Sequence, residues 1–250
     1  MKKLCIVILL LSGCGTFETP SSDAQSISHQ IWDGLLIKHV SADGWVDYSA
    51  FKKDTIVLQK YLDLLSSNPP NEATWTKNEQ LAYWINAYNA FTVKLIVDNY
   101  PLKSITELHP KPYFPMINTV WHKEFFKIGE NLMNLDAIEH KILRKKFNEP
   151  RIHFAIVCAS YSCPKLRNEA FTGDMVEAQL KDQAMNFIND PKRNIIQKDK
   201  IKLTKIFKWF NRDFTKDGTL ISFLNQYSEV KIDKDASVSY MKYDWSLNEK

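Results

Sequence analysis

Glycine is scarce in this chain, seven in 250 residues, and those beyond position 13 are scattered. That excludes the glycine-rich loops that cradle phosphates or dinucleotides. Charge of one sign is scarce as well: the formal net charge is +4, and no basic run exceeds Arg144-Lys145-Lys146. Such a balance leaves no electrostatic footprint for a nucleic-acid partner. The apolar run Leu4 to Leu11 is too short to span a bilayer. Neither a His-Glu-x-x-His run nor a paired Cys-x-x-Cys occurs, so the commonest zinc signatures are missing.

What is present begins with "MKKLCIVILLLSGCGTF". Lys2 and Lys3 form a positive n-region ahead of the apolar run, the pattern of a targeting segment. Leu11-Ser12-Gly13-Cys14 resembles a bacterial lipobox, in which the cysteine is acylated and becomes the first residue after cleavage. The reading is a lipoprotein signal peptide over 1–13, then lipidated Cys14 and a polar tether over 14–29. An anchor with two or more acyl chains holds where one binds only marginally. The expected location is the cell envelope, and with no acidic residue at Gly15, the outer membrane facing the periplasm. Cleavage removes Lys2, Lys3 and Cys5, lowering the net charge from +4 to +2. Beyond Cys14, only Cys158 and Cys163 remain, both facing an oxidising compartment.

From position 30 to 248 no second linker or repeat interrupts the chain, which predicts one domain. "TWTKNEQLAYWINAYNAFTVKLIVDNYP" predicts a helix near 77–98. Thr76 and Glu79 make a capping box, Leu81, Trp84, Tyr88, Phe91 and Leu95 recur at helical spacing, and Pro101 ends it. Ile85, Val93 and Ile96 add apolar flanks, so the helix is central and buried. Asn86 and Asn89 then need partners; they either clamp neighbouring loops or face a ligand. "EFFKIGENLMNL" predicts a hairpin at Gly129-Glu130. In the next helix, "NLDAIEHKILRKKF", Glu139 lies about 40° from the Leu135, Ile138, Ile142 stripe, with His140 on its flank. A carboxylate so buried is rarely unpaired; its partner is an arginine such as Arg151 or Arg167, or it serves a site.

"RIHFAIV" (151–157) reads as an apolar, β-branched strand, and "DMVEAQLKDQAMNFIND" as an amphipathic helix. "NIIQKDKIKL" predicts a hairpin turning at 198–200, followed by a short helix with Ile206, Trp209 and Phe210. "GTLISFLNQYS" is another helix and "SVSYMKYDWSLN" a closing strand. Helices and strands do not alternate regularly, which predicts an α+β domain, several helices around a small, mainly antiparallel sheet.

"RIHFAIVCASYSCPKL" concentrates the chemistry. Strand alternation places Cys158 on one face with Ile152, Phe154 and Ile156, and His153 on the other. Pro164 suits the first position of a helix with Cys163 at its N-cap, where the helix dipole lowers a thiol pKa. Four readings stay open: a Cys158–Cys163 disulfide worth roughly 2 kcal/mol; two free cysteines; Cys163 as nucleophile with His153 as base and Glu139 or an asparagine orienting it; or a metal site from Asp136, Glu139, His140 and His153.

The segments "WINAYNAFTVKLIVDNYPLKSI", "LDAIEHKILR", "RIHFAIVCASYSCPKLRNEAFTG", "KIFKWFNRDF" and "YDWSLN" resemble the domain of unknown function 547 family, over roughly residues 30 to 248. The resemblance implies an α+β domain, here in a bacterial lipoprotein, and singles out Asn86, Asn89, Glu139, His140, His153, Ser160, Cys163 and Pro164. Family members often carry Cys-Gly-Ser where this chain has Cys158-Ala159-Ser160. The functional expectation is an envelope binding or structural module with a Cys158–Cys163 disulfide beside a His153/Glu139 pocket. Asn86, Asn89, His140 and Ser160 are its candidate binding residues. The alternative is a thiol-dependent hydrolase or transferase using Cys163 and His153. No metal or cofactor is expected, and the expected partners are the membrane, through the lipid anchor, and an envelope ligand or protein.

Overall fold

The computed structural model describes residues 26–114 and 117–250. The expected signal peptide, Cys14 and the tether up to position 25 lie outside the described residues. The N-terminal half is helical: α1 (Gln30–His39), α2 (Tyr48–Phe51), α3 (Thr55–Ser67) and α4 (Lys77–Asn99). The capping box forms as expected, Thr76 accepting from the Glu79 backbone while the Glu79 carboxylate accepts from Thr76 N. Helix α4 is buried nearly all round from Leu81 to Val97, with α2, α3 and later elements packed on it. Each large apolar side chain fully buried there contributes roughly 1.5–3 kcal/mol.

The hairpin forms between β1 (Phe126–Ile128) and β2 (Asn131–Met133), turning at Gly129, whose φ of 57° suits a residue without Cβ. The next helix opens as a π-helical turn, Ala137–Leu143, and continues as α5 (Arg144–Lys146). It packs on α4 and buries Leu135, Ile138 and Leu143.

The expected strand over 151–157 is not formed. Pro150–Phe154 is a 3-10 helix, with Pro150 in the first turn and the Glu149 carboxylate accepting from Arg151 N. A short apolar run cannot be told from buried helix by periodicity. Asn89 of α4 supplies the backbone partners a neighbouring strand would have given: its amide donates to Ala155 O at 2.9 Å and accepts from Val157 N at 2.9 Å. The alternation that separated His153 from Cys158 therefore does not hold. Nor does a helix begin at Pro164, so Cys163 lies at no helix N-terminus.

Beyond α6 (Val176–Ile188), strands β3 (Ile195–Ile196) and β4 (Lys200–Leu203) pair antiparallel. Then come α7 (Ile206–Trp209), α8 (Asn211–Phe214) and α9 (Leu220–Leu224). Strand β5 (Ser237–Tyr240) joins β4 in parallel, so the three-stranded sheet is mixed. The class is α+β as expected. One apolar core surrounds α4, a second forms around Phe154, Phe207 and Phe214, and Cys158 and Trp245 pack against both.

Candidate functional site

Where the two cores meet, a cavity of about 720 Å³ opens to solvent. One wall carries titratable side chains from the turn before β1, the π-helical turn and the 3-10 helix. His153 is buried, its Nε2 2.7 Å from Asp213 Oδ2 and its Nδ1 3.9 Å from Glu139 Oε1. Arg144 holds Asp213 with two bonds, Nε to Oδ2 at 2.6 Å and Nη2 to Oδ1 at 2.9 Å. Burial opposes charge on Asp213, but the bonds from His153 and Arg144 outweigh it and hold the carboxyl well below the usual range. Burial pulls the His153 imidazole down, against the bond to Asp213. A neutral His153 thus donates from Nε2 and turns a bare Nδ1 toward Glu139.

Glu139 has little support. Its side chain is 12% exposed, its nearest donor is the Tyr88 hydroxyl at 3.5 Å, and burial pushes its carboxyl up to about 7 against the Arg144 charge. Near neutrality it both donates and accepts. At the mouth, His122 and His140 bracket Asp136, with Nε2 atoms 3.5 and 3.4 Å from Oδ1. His140 accepts from Arg144 at Nδ1, 3.0 Å away, which leaves its Nε2 proton for Asp136.

The adjoining part of the lining is aromatic. Phe210 stacks on His153 at 3.9 Å, and Trp209, Tyr243 and Trp245 pack with ring centroids 4.5 to 5.9 Å apart. In the same lining, Cys158 and Cys163 are joined by a disulfide. The Tyr243 hydroxyl touches both sulfurs, donating to Cys163 Sγ at 3.2 Å and lying 3.4 Å from Cys158 Sγ. Arg193 donates to Cys163 O and Tyr161 O, and Tyr161 N reaches Ser246 O at 2.7 Å, so the loop is pinned from two sides.

Residues 73–188 match the family model of DUF547, described as a protein of unknown function. No curated protein and no solved structure matches the chain. The DUF547 match is narrower than the resemblance expected over 30–248. It contains His122, Asp136, Glu139, His140, His153 and both cysteines. The aromatic wall and Asp213 lie outside it, so residues beyond the DUF547 segment complete the cavity.

Of the residues read from sequence, Glu139, His140, His153, Cys158, Cys163 and Pro164 line the cavity together. Asn86 and Asn89 do not: Asn86 clamps Phe171 N and O, as Asn89 clamps 155–157. Ser160 is buried beside the cavity, donating to Tyr243 at 3.0 Å. The arginines expected for Glu139 are taken elsewhere, Arg151 by Glu149 and Glu177, Arg167 by Glu169 and Asp182. Asp136, Glu139, His140 and His153 face one space. Among the described residues, however, no three His, Cys, Asp or Glu side chains form a group placed to hold a metal ion. Sequence reasoning missed Tyr88, Arg144, Asp213, Tyr243 and Trp245 as site residues. Three of these sit inside "KIFKWFNRDF" and "YDWSLN", segments already notable for their resemblance.

Proposed function

We propose that this protein is an envelope lipoprotein whose cavity binds a small ligand, with the Cys158–Cys163 disulfide as a fixed part of its lining. The observation that carries the reading is a cavity of about 720 Å³ lined by both aromatic and titratable side chains. That size and mixture suit a small-molecule site. The lipobox at 11–14 supports the envelope location, and a disulfide suits an oxidising compartment. The presence of His153, Glu139 and both cysteines in one cavity lining favours one second reading, a thiol hydrolase or transferase with Cys163 as nucleophile and His153 as base.

Two measurements on the full chain test the first reading. Peptide mapping after alkylation without reductant yields a Cys158–Cys163 crosslink; selective alkylation of Cys163 instead favours the thiol enzyme. The neutral dye N-phenyl-1-naphthylamine binds saturably with enhanced fluorescence, and Trp209→Ala weakens it. A dye that does not bind, or binds the variant equally, refutes the cavity as a ligand site.

A further inference from the structure

The lining of this cavity restricts the chemistry of what it holds. Among the described residues no lysine or arginine lines it, while Asp136 and Glu139 do. A phosphate or carboxylate ligand would enter a partly desolvated space with two acidic groups and no facing cation, an unfavourable arrangement. A simple cation fares little better. His122, His140 and His153 share the wall with the carboxyls, and the Arg144 guanidinium stands behind it, 5.2 Å from the Phe210 ring centroid. Glu139, with its carboxyl raised to about 7, offers only part of a counter-charge near neutrality.

The groups that remain suit a neutral ligand rich in hydroxyls. Glu139 has no donor closer than 3.5 Å, and His153 Nδ1 has no partner nearer than Glu139 at 3.9 Å. Glu139, 12% exposed, therefore retains hydrogen-bonding capacity toward the cavity, whereas His153, 1% exposed, stands behind it. In the same lining Trp209 is 47% exposed, with its ring nearly parallel to Trp245 at 24° and 5.9 Å. A pyranose ring has this same division, an apolar C–H face and a rim of hydroxyls that donate and accept.

We infer that the cavity takes a neutral saccharide, one pyranose face stacked on Trp209 and its hydroxyls hydrogen-bonded to Glu139 and Asp136. The inference rests on the reading of this cavity as a ligand site and names its ligand class. The volume admits a short oligosaccharide rather than only a single ring.

The test is competition on the full chain carrying Cys14→Ala, kept free of detergent because micelles would take up the dye. N-phenyl-1-naphthylamine is bound first, then chitotriose, maltotriose, cellotriose or tetramethylammonium is added. The expected result is displacement by at least one trisaccharide with a saturable change in tryptophan fluorescence. Trp209→Ala weakens that trisaccharide by roughly tenfold, Trp209→Phe restores part of the loss, and circular dichroism is unchanged in both. Dye that binds but yields to no trisaccharide overturns the saccharide inference while leaving the ligand site standing. Displacement by tetramethylammonium alone overturns it in favour of a cation site. Failure of the dye itself to bind removes the ligand site and the inference together.

Discussion

Glu139 shows how far a single residue can be read from sequence. Helical spacing alone places it near a buried stripe, and the fold leaves its side chain 12% exposed. Its surroundings were not legible, because they come from Tyr88 on α4, His153 on the 3-10 helix and Arg144 one turn on. The arginines that looked available pair with acids closer to them. A carboxyl raised to about 7 by burial makes a signed prediction. In the folded state it keeps its proton where the unfolded chain has lost it. Its contribution to stability is therefore full below the unfolded value near 4.5 and is lost as pH rises through about 7. Glu139→Gln, which never ionises, gains on the native protein over that window by on the order of 3 kcal/mol. Denaturant unfolding of both proteins at pH 4 and pH 8 measures the difference; an equal gap at the two pH values refutes it.

Local patterning carried the elements well where the chain is amphipathic or capped. Helix α4, the β1–β2 hairpin and α6 all follow spacing and cap signals visible in the sequence. Residues 151–157 fail for a definite reason: an apolar run states that it is buried, not what pairs with its backbone. That pairing comes from Asn89, sixty-six residues before Ala155 in the chain. Asn89→Ala leaves Ala155 O and Val157 N buried without partners, and the expected cost is about 3 kcal/mol. The loss is read in chemical denaturation. A variant as stable as the native chain would show that these groups find partners elsewhere. The same substitution is also expected to weaken dye binding, because the clamp positions His153 and Cys158 on either side of it. Ala159, next to Cys158, takes a left-handed φ of 58°, a conformation that glycine, common there in the family the chain resembles, adopts with less strain.

At the scale of the whole molecule, the cavity exists because two cores meet along one seam. The α4 core supplies Tyr88 and Cys163, the second supplies Ile206 and Tyr243, and Trp245 packs against both. No described helix is long and apolar enough to cross a membrane. The membrane attachment proposed from the lipobox rests on Cys14. Cys14→Ala moves the protein from the membrane to the soluble fraction on fractionation of the producing cells, with the folded domain unchanged. Retention of the variant in the membrane would refute the lipid anchor.

By itself, the sequence determined the α+β class, the central capped helix, the burial of Glu139 and the closeness of two cysteines five residues apart. Each follows from periodicity, caps or short separation along the chain, which are local properties. Tertiary structure alone decided that Asp213, itself held by Arg144, holds His153, that Asn89 replaces a strand, and that Trp209, Tyr243 and Trp245 share a cavity with Glu139. Those residues lie 60 to 106 positions apart in the chain, and no periodic signal spans such a gap. They arise when burial of apolar surface closes the chain on itself and the remaining polar groups must find partners inside.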